Sequence, residues 1–362
     1  MMRESESEPD RGPVLGRPRL LIYLLVAAVA AGLGVVAVTL AQHDAPPAAS
    51  THLNQARVER EVTAGLVDIK ANLQYSNEVS DDTGIVLSAD GLVLTSNNDI
   101  AGSTSVTATL AGSGRTYTAR VLGYDATQDV ALLRLEGATG LPAVTIGNSS
   151  QVTIGMPVLA LGNAQGQGGV TPAAGIINAL DRSINSGGAV PGVITQNLHD
   201  MEQTSAQVGP GDDGGALADS AGQVIGIITT ANTSSGRQST IGFAIPINTA
   251  MAIAREISNG HASSTVYLGE PGFLGVKLKT STSRDPSGAV IAGVIGGTPA
   301  SRAGLAAGDA ITGFNGLPVT TPASLSTLVQ RYHPGDVVSI SWTATHGTAR
   351  TTQITLGNGP YQ

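Results

Sequence analysis

Residues 208–227 read VGPGDDGGALADSAGQVIGI. Glycines 211, 214 and 215 bracket the acidic pair Asp212 and Asp213 in a tight turn, where the missing Cβ allows backbone angles and close approaches closed to other residues. Two short runs follow, GALAD (215–219) and QVIGIITTA (223–231), parted by turn residues as paired strands are. The same texture extends in both directions. Upstream lie GLVDIKANL (65–73), TGIVLSADGLVLTS (83–96), SVTATL (105–110), RTYTARVLGY (115–124) and DVALLRL (129–135). MPVLALGN (156–163), AAGIINAL (173–180) and IGFAIPI (241–247) complete a second set, and Ala89-Asp90-Gly91 joins two strands as a hairpin. Two sets of short strands predict two barrels, closed by a helix over 249–257 that Asn248 opens.

Beyond a loop at 260–272 the pattern changes. FLGVKLK (273–279), AVIAGV (289–294), DAITGFNG (309–316) and VVSISWTA (337–344) alternate with helical segments around PASRAGL (299–305) and PASLSTLVQ (322–330). This is a separate, small α+β unit.

Composition narrows the function. The chain has 362 residues, 41% of them hydrophobic, which suffices for a sizeable core in two or three domains. Only 3% are aromatic and 47 are glycine, so aliphatic side chains fill an interior made of short elements and many turns. A net charge of −8, with no basic block outside the N-terminal flank, argues against nucleic acid as a partner. Cysteine is absent, which removes disulfides, thiol nucleophiles and CxxC metal sites. No cofactor is expected.

Residues 20–41 (LLIYLLVAAVAAGLGVVAVTLA) carry no charge, and at ~1.5 Å per residue they match a hydrocarbon core of ~30 Å. Arg11, Arg17 and Arg19 precede this run, while the first Lys or Arg after it is Arg57. The positive-inside rule therefore predicts a transmembrane helix with 1–19 as a cytoplasmic tail and everything later outside. The competing reading is a signal peptide cut near Thr39-Leu40-Ala41, which would leave the product secreted; the apolar run exceeds the usual ~7–15 residues of such signals. Residues 42–60 read as a tether, 61–260 as the two-barrel domain and 270–360 as the α+β domain.

Three segments resemble the HtrA-type proteases, trypsin-like enzymes with a C-terminal PDZ domain: TGIVLSADGLVLTSNNDIAG (83–102), YDATQDVALLRL (124–135) and the glycine-rich stretch at 208–227. The resemblance covers roughly residues 64–358. It implies a mainly β chain, with a two-barrel trypsin-like fold, an active site between the barrels, and a PDZ domain. Matching TSNNDI to the family's TNNHVI puts Asn98 at the histidine position. Matching PGDDGGA to PGDSGGP puts Asp213 at the serine position. Asp129 falls on the triad aspartate, and Gly211 with the backbone of Asp213 on the oxyanion hole.

Those replacements remove the chemistry. Serine attack needs a base that takes the hydroxyl proton and returns it to the leaving amine, which imidazole does and an amide does not. A carboxylate at 213 has no proton to give and sets negative charge where the oxyanion develops. Among the six histidines only His199 lies in the protease-like region, read as a loop position of the second barrel; Ser205 and Ser220 lie outside the glycine-bracketed turn. Asn98 can still donate a hydrogen bond to Asp129 in place of the lost imidazole N–H. Asp99, Asp129, Asp212 and Asp213 read as no metal site, since carboxylates in adjacent turn positions normally point to solvent and an Asp just before the VALLRL strand normally bonds nearby backbone amides.

In the α+β unit the resemblance places the carboxylate-binding loop at Phe273, Leu274, Gly275 and Val276, with Leu325 and Leu328 on the opposing helix. It implies recognition of peptide C-termini or unfolded segments by strand addition. The leading expectation is a pseudoprotease acting as adaptor, sensor or decoy. The alternatives are an active serine endopeptidase and a structural subunit, since the resemblance also implies trimers, homotypic or mixed with an active homologue.

Overall fold

The computed structural model describes residues 53–73, 78–163, 169–186, 196–209, 211–229, 242–279 and 288–361. The expected tail and membrane helix (1–41) lie outside the described residues, among which no helix is long and apolar enough to cross a membrane.

Six strands build the first barrel: β1 (Leu66–Leu73), β2 (Glu78–Val86), β3 (Leu92–Thr95), β4 (Ser105–Leu110), β5 (Thr116–Asp125) and β6 (Val130–Leu135). They pair in the order β5-β4-β1-β2-β3-β6, and β5 pairs with β6 to close the ring. Alternation explains the curl: in β4 and the first half of β5 every second residue is buried, so one face of each strand fills the barrel. Ile69, Val93, Val106, Tyr124 and Leu133 meet there. The β2–β3 hairpin turns at Gly91, whose φ of 90° suits glycine, and Arg134 pairs with Asp90 across it.

The second barrel uses β7 (Thr145–Ile146), β8 (Pro157–Gly162), β9 (Thr171–Ser186), β10 (Gln196–Thr204), β11 (Ala216–Asp219), β12 (Gln223–Thr229) and β13 (Gly242–Pro246). Its order is β11-β8-β9-β10-β13-β12-β7, closed by the β11–β12 pair. A further apolar cluster contains residues of both barrels, including Leu94, Leu132, Leu161, Ile227 and Ile245.

Four local expectations are corrected. The tether ends in a helix, α1 (Gln55–Thr63), capped by the Asn54 side chain and braced by Arg57–Glu61; only Val58 and Val62 are buried, too few to show a period. The stretch 260–272 contains β14 (Val266–Leu268), which extends the first barrel's sheet alongside β5. The closing helix, α2 (Ile247–Ser258), starts before Asn248, whose backbone N–H is held by Ser149 Oγ at 3.1 Å. His199 sits on strand β10, not in a loop, and its exposed ring bonds to Ser183 Oγ at 2.9 Å. The sequence of β10, QNLHDMEQT, hides a strand because it buries few apolar side chains and bulges against β9.

The α+β unit holds β15 (Gly272–Phe273), β16 (Val276–Leu278), β17 (Ala289–Val294), α3 (Pro299–Arg302), β18 (Ala310–Phe314), β19 (Leu317–Pro318), α4 (Pro322–Val329), β20 (Val337–Thr343), β21 (Ala349–Thr355) and β22 (Gly357–Asn358). Its sheet runs β16-β17-β18-β20-β21 over a core of Leu274, Ile291, Phe314, Leu325, Ile340 and Trp342. Thr321 and Ser324 cap α4 reciprocally.

Candidate functional site

Asp129 immediately precedes β6 with φ of 55°, a left-handed backbone that a non-glycine residue adopts only under constraint. The constraint is visible. The carboxylate is fully buried; Oδ1 accepts from Ser96 Oγ at 2.7 Å and from the Asn98 backbone N–H at 2.9 Å, and Oδ2 accepts from Thr229 Oγ1 at 3.1 Å. The Asn98 side chain also hydrogen-bonds this carboxylate. Burial pushes the group up to about 6 in spite of the bonds, which pull the other way. The β3–β6 ladder and the turn after β3 thus bring Asn98 to Asp129. Ser96 and Thr229 carry no sign in the sequence motif beyond a hydroxyl residue at the end of the aliphatic run VIGII.

Across the interface between barrels, Thr83 ties down the glycine turn. Its hydroxyl donates to Gly211 O at 2.8 Å and accepts from Asn163 N–H at 2.8 Å, while its own N–H donates to Asp213 O at 2.9 Å. Gly214, at φ 74°, has no room for a side chain: a Cβ would stand 2.0 Å from Thr83 O and 2.4 Å from Asp99 Oδ2. Gly214 therefore serves close packing between the barrels, while at Gly215 a Cβ would stand 2.5 Å from Leu161 O within the second barrel.

That packing gathers carboxylates. Oxygens of Asp82, Asp99 and Asp213 lie within 4.8 Å of one another. The expectation that acids in adjacent turn positions face solvent is overturned for Asp99 and Asp212, which are buried; half-buried Asp82, just before the Thr83 at which the motif starts, joins Asp99 and Asp213 in the cluster. Asp99 Oδ2 accepts from Thr95 Oγ1 at 2.5 Å and Ser96 N–H at 3.2 Å. Burial, then the charges of Asp82 and Asp213, hold Asp99 well above the usual carboxylate value. Burial likewise raises Asp82 to about 6 against the Ser80 hydroxyl, and Asp212 to about 6 against the Gly209 N–H. Three convergent carboxylates could ligate one hard cation.

The second site is a groove in the α+β unit. Phe273, Leu274, Gly275 and Val276 line it with Leu278, opposite Leu325, Ser326 and Val329 of α4. Leu328 does not line it: residues 325, 326 and 329 share the facing side of the helix, and Leu328 packs against the core instead. Gly275 has φ of 84°, and a Cβ there would sit 2.2 Å from the Thr298 side chain. The carbonyls of Leu274 and Gly275 are bonded inward, to Ala300 N–H at 2.8 Å and Ile295 N–H at 2.9 Å. Among the described residues β16 pairs only with β17, which leaves its other edge toward the groove.

Residues 82–227 match the family described as Trypsin-like peptidase domain, and 272–354 match the PDZ domain. The Serine protease PepD of Mycobacterium tuberculosis is 33% identical over 96% of this chain and 80% of its own length. The chain belongs to the HtrA-type serine protease family. A probable periplasmic serine endoprotease, DegP-like, of Ectopseudomonas mendocina is 32% identical over 77% of this chain and 56% of its own, so the HtrA-type chain spans about half the length of such relatives. Among solved structures, the HtrA-type protease AlgW with tripeptide is 30% identical at a TM-score of 0.51, covering 85% of this chain and 98% of that one. AlgW with decapeptide gives 28% and 0.50. This HtrA-type homologue is thus mainly β, with a trypsin-like domain and a PDZ domain.

Proposed function

We propose that this HtrA-type chain is a pseudoprotease that binds peptide or unfolded segments outside the cytoplasmic membrane and does not cleave them. The observation that carries the reading is the cluster of Asp213, Asp99 and Asp82 beside a fully bonded Asp129. Hydrolysis would have to build an oxyanion next to this charge, and the group that faces Asp129 is an amide with no proton affinity near neutrality. Peptide binding is supported by the PDZ match, by the glycine-shaped loop at 273–276 and by the edge that β16 turns to the groove. Aliphatic lining by Leu278, Leu325 and Val329 favours a peptide ending in an aliphatic residue. Placement outside the membrane is supported by the charge asymmetry around residues 20–41 and by relatives named as periplasmic.

The test is incubation of the full chain with a fluorescently labelled unfolded protein. A rise in anisotropy with no new N-termini is expected. Cleavage that disappears in Asp213→Ala would refute it.

A further inference from the structure

Consecutive residues of β10 are both covered where the strand crosses the second barrel. Met201 joins the cluster shared by the barrels, while Glu202 stands opposite Ala244 of β13 and is 3% exposed. Its Oε2 has no hydrogen-bond partner among the described residues. Beyond β13 the carboxyl reaches β12, where a Cβ on Gly226 would stand 3.1 Å from Oε2 and 2.9 Å from Ala244 Cβ, so the glycine leaves the room that the carboxyl takes. Among the described residues no charge faces this group. β8, β12 and β13 contain no titratable residue, Asp219 of β11 accepts from the Ala221 and Gln223 N–H groups, and Asp181 and Arg182 of β9 are exposed, as are His199 and Asp200 of β10 itself. Burial raises the carboxyl to about 8. The strand it presses on also backs the glycine turn: Ile228 O accepts from Gly214 N–H at 2.9 Å, and Ile228 N–H donates to Gly215 O at 2.8 Å.

We propose that Glu202 is a proton lock on the second barrel: the proton on its carboxyl keeps β10, β12 and β13 closed behind the glycine turn, and the three strands open more readily once it is gone. The physical reason is solvation. A carboxylate sealed from water with no donor is among the costliest groups a core can hold, whereas the neutral acid costs only what an unpaired polar group costs. With no cation at hand, ionisation is relieved by letting water in, and the strands that cover the carboxyl must part to do so. Such an opening is local, since a barrel segment can open without the whole chain unfolding. Its sign follows from linkage. Between the ordinary glutamate value and about 8, the closed barrel keeps a proton that the open one releases, so the lock is complete at acid pH and is lost as pH rises through about 8. The open form gains about tenfold per pH unit over that interval.

Amide hydrogen exchange of the full chain tests the lock at Gly214 and Ile228, read as protection factors so that the base catalysis of exchange itself cancels. The Ile291 amide, which donates to Asp309 O within the α+β unit, is the reference. Protection at Gly214 and Ile228 should fall between pH 5.5 and pH 7.5 in the unaltered chain. Glu202→Gln, which keeps the shape and cannot ionise, should remove about 100-fold of that fall and leave Ile291 unmoved. Glu202→Met puts an apolar group of similar length in the same space; it should do the same, and it decides the matter if the glutamine variant does not fold. A fall of equal size in the unaltered chain and the variants would overturn the lock. So would an equal change at Ile291, because the effect would then belong to the whole chain. The NMR resonance of the Glu202 carboxyl carbon gives the proton directly: it should titrate near 8, and titration at the ordinary glutamate value would refute the proposal.

Discussion

The glycine turn at 211–215 and the glycine loop at 272–276 pose the same problem of close backbone approach, yet they differ in what function would ask of the atoms around them. At the first, function would depend on two side-chain atoms, an imidazole nitrogen and a hydroxyl oxygen, and replacing them leaves the surrounding turn intact: Gly214 is still pressed against Thr83 O, and Asp129 still has its hydrogen bonds. At the second, recognition would depend on backbone and apolar surface, which the fold itself maintains. On the proposed reading two substitutions are enough to remove catalysis, while a groove persists as long as its glycine and its core do.

The largest expected effect tests the groove. Gly275→Val forces a Cβ into the 2.2 Å gap to Thr298 and should weaken binding of a valine-ended peptide more than about 100-fold, about 2.8 kcal/mol, by anisotropy titration. Unchanged affinity would break the contrast. Next, Thr83→Val removes the acceptor of Asn163 N–H and the donor to Gly211 O, both buried between the barrels. Denaturant unfolding should show a loss of about 1–3 kcal/mol. Asn98→Ala should cost about 1 kcal/mol, since Asp129 keeps the other partners named above.

The smallest effect is a pH dependence with a definite sign. Asp82, Asp129 and Asp212 sit at about 6, Asp68 at about 7 and Glu202 at about 8, all raised chiefly by burial. The native state therefore binds protons more tightly than the unfolded chain. Stability from these groups is complete below their unfolded values and is lost as pH rises through 6 to 8. Tm should fall between pH 5.5 and pH 8, and Asp99→Asn, which removes one member of the cluster, should reduce that fall. A Tm that rises over this interval would contradict the burial of these acids.

How much of this was legible follows from what sequence encodes locally. The barrels could be read because β4, β5 and β6 alternate or run apolar between turns, and the Asn98–Asp129 pairing was an expectation drawn from the resemblance to the HtrA-type motifs. The carboxylate cluster could not, because Asp82 and Asp99 are 17 positions apart and Asp213 lies in the other barrel, so only the packed turn unites them. Leu328 was misplaced because two leucines three apart on a short helix look alike until the partner surface fixes the facing side. The segment 357–361 has no period to read at all: it is glycine-rich, and its one large side chain packs into the first barrel.

Whether this chain is a pseudoprotease turns on proton transfer at the centre between the barrels. The double change Asn98→His with Asp213→Ser, assayed on an unfolded protein beside each single change and the unaltered chain, measures it directly. In subtilisin, loss of either the serine or the histidine costs on the order of 10⁶ in turnover and the losses do not add, so neither single change should suffice. Hydrolysis is expected in the double variant alone; cleavage by the unaltered chain at a rate matching the double variant would show that the cleft needs neither imidazole nor hydroxyl.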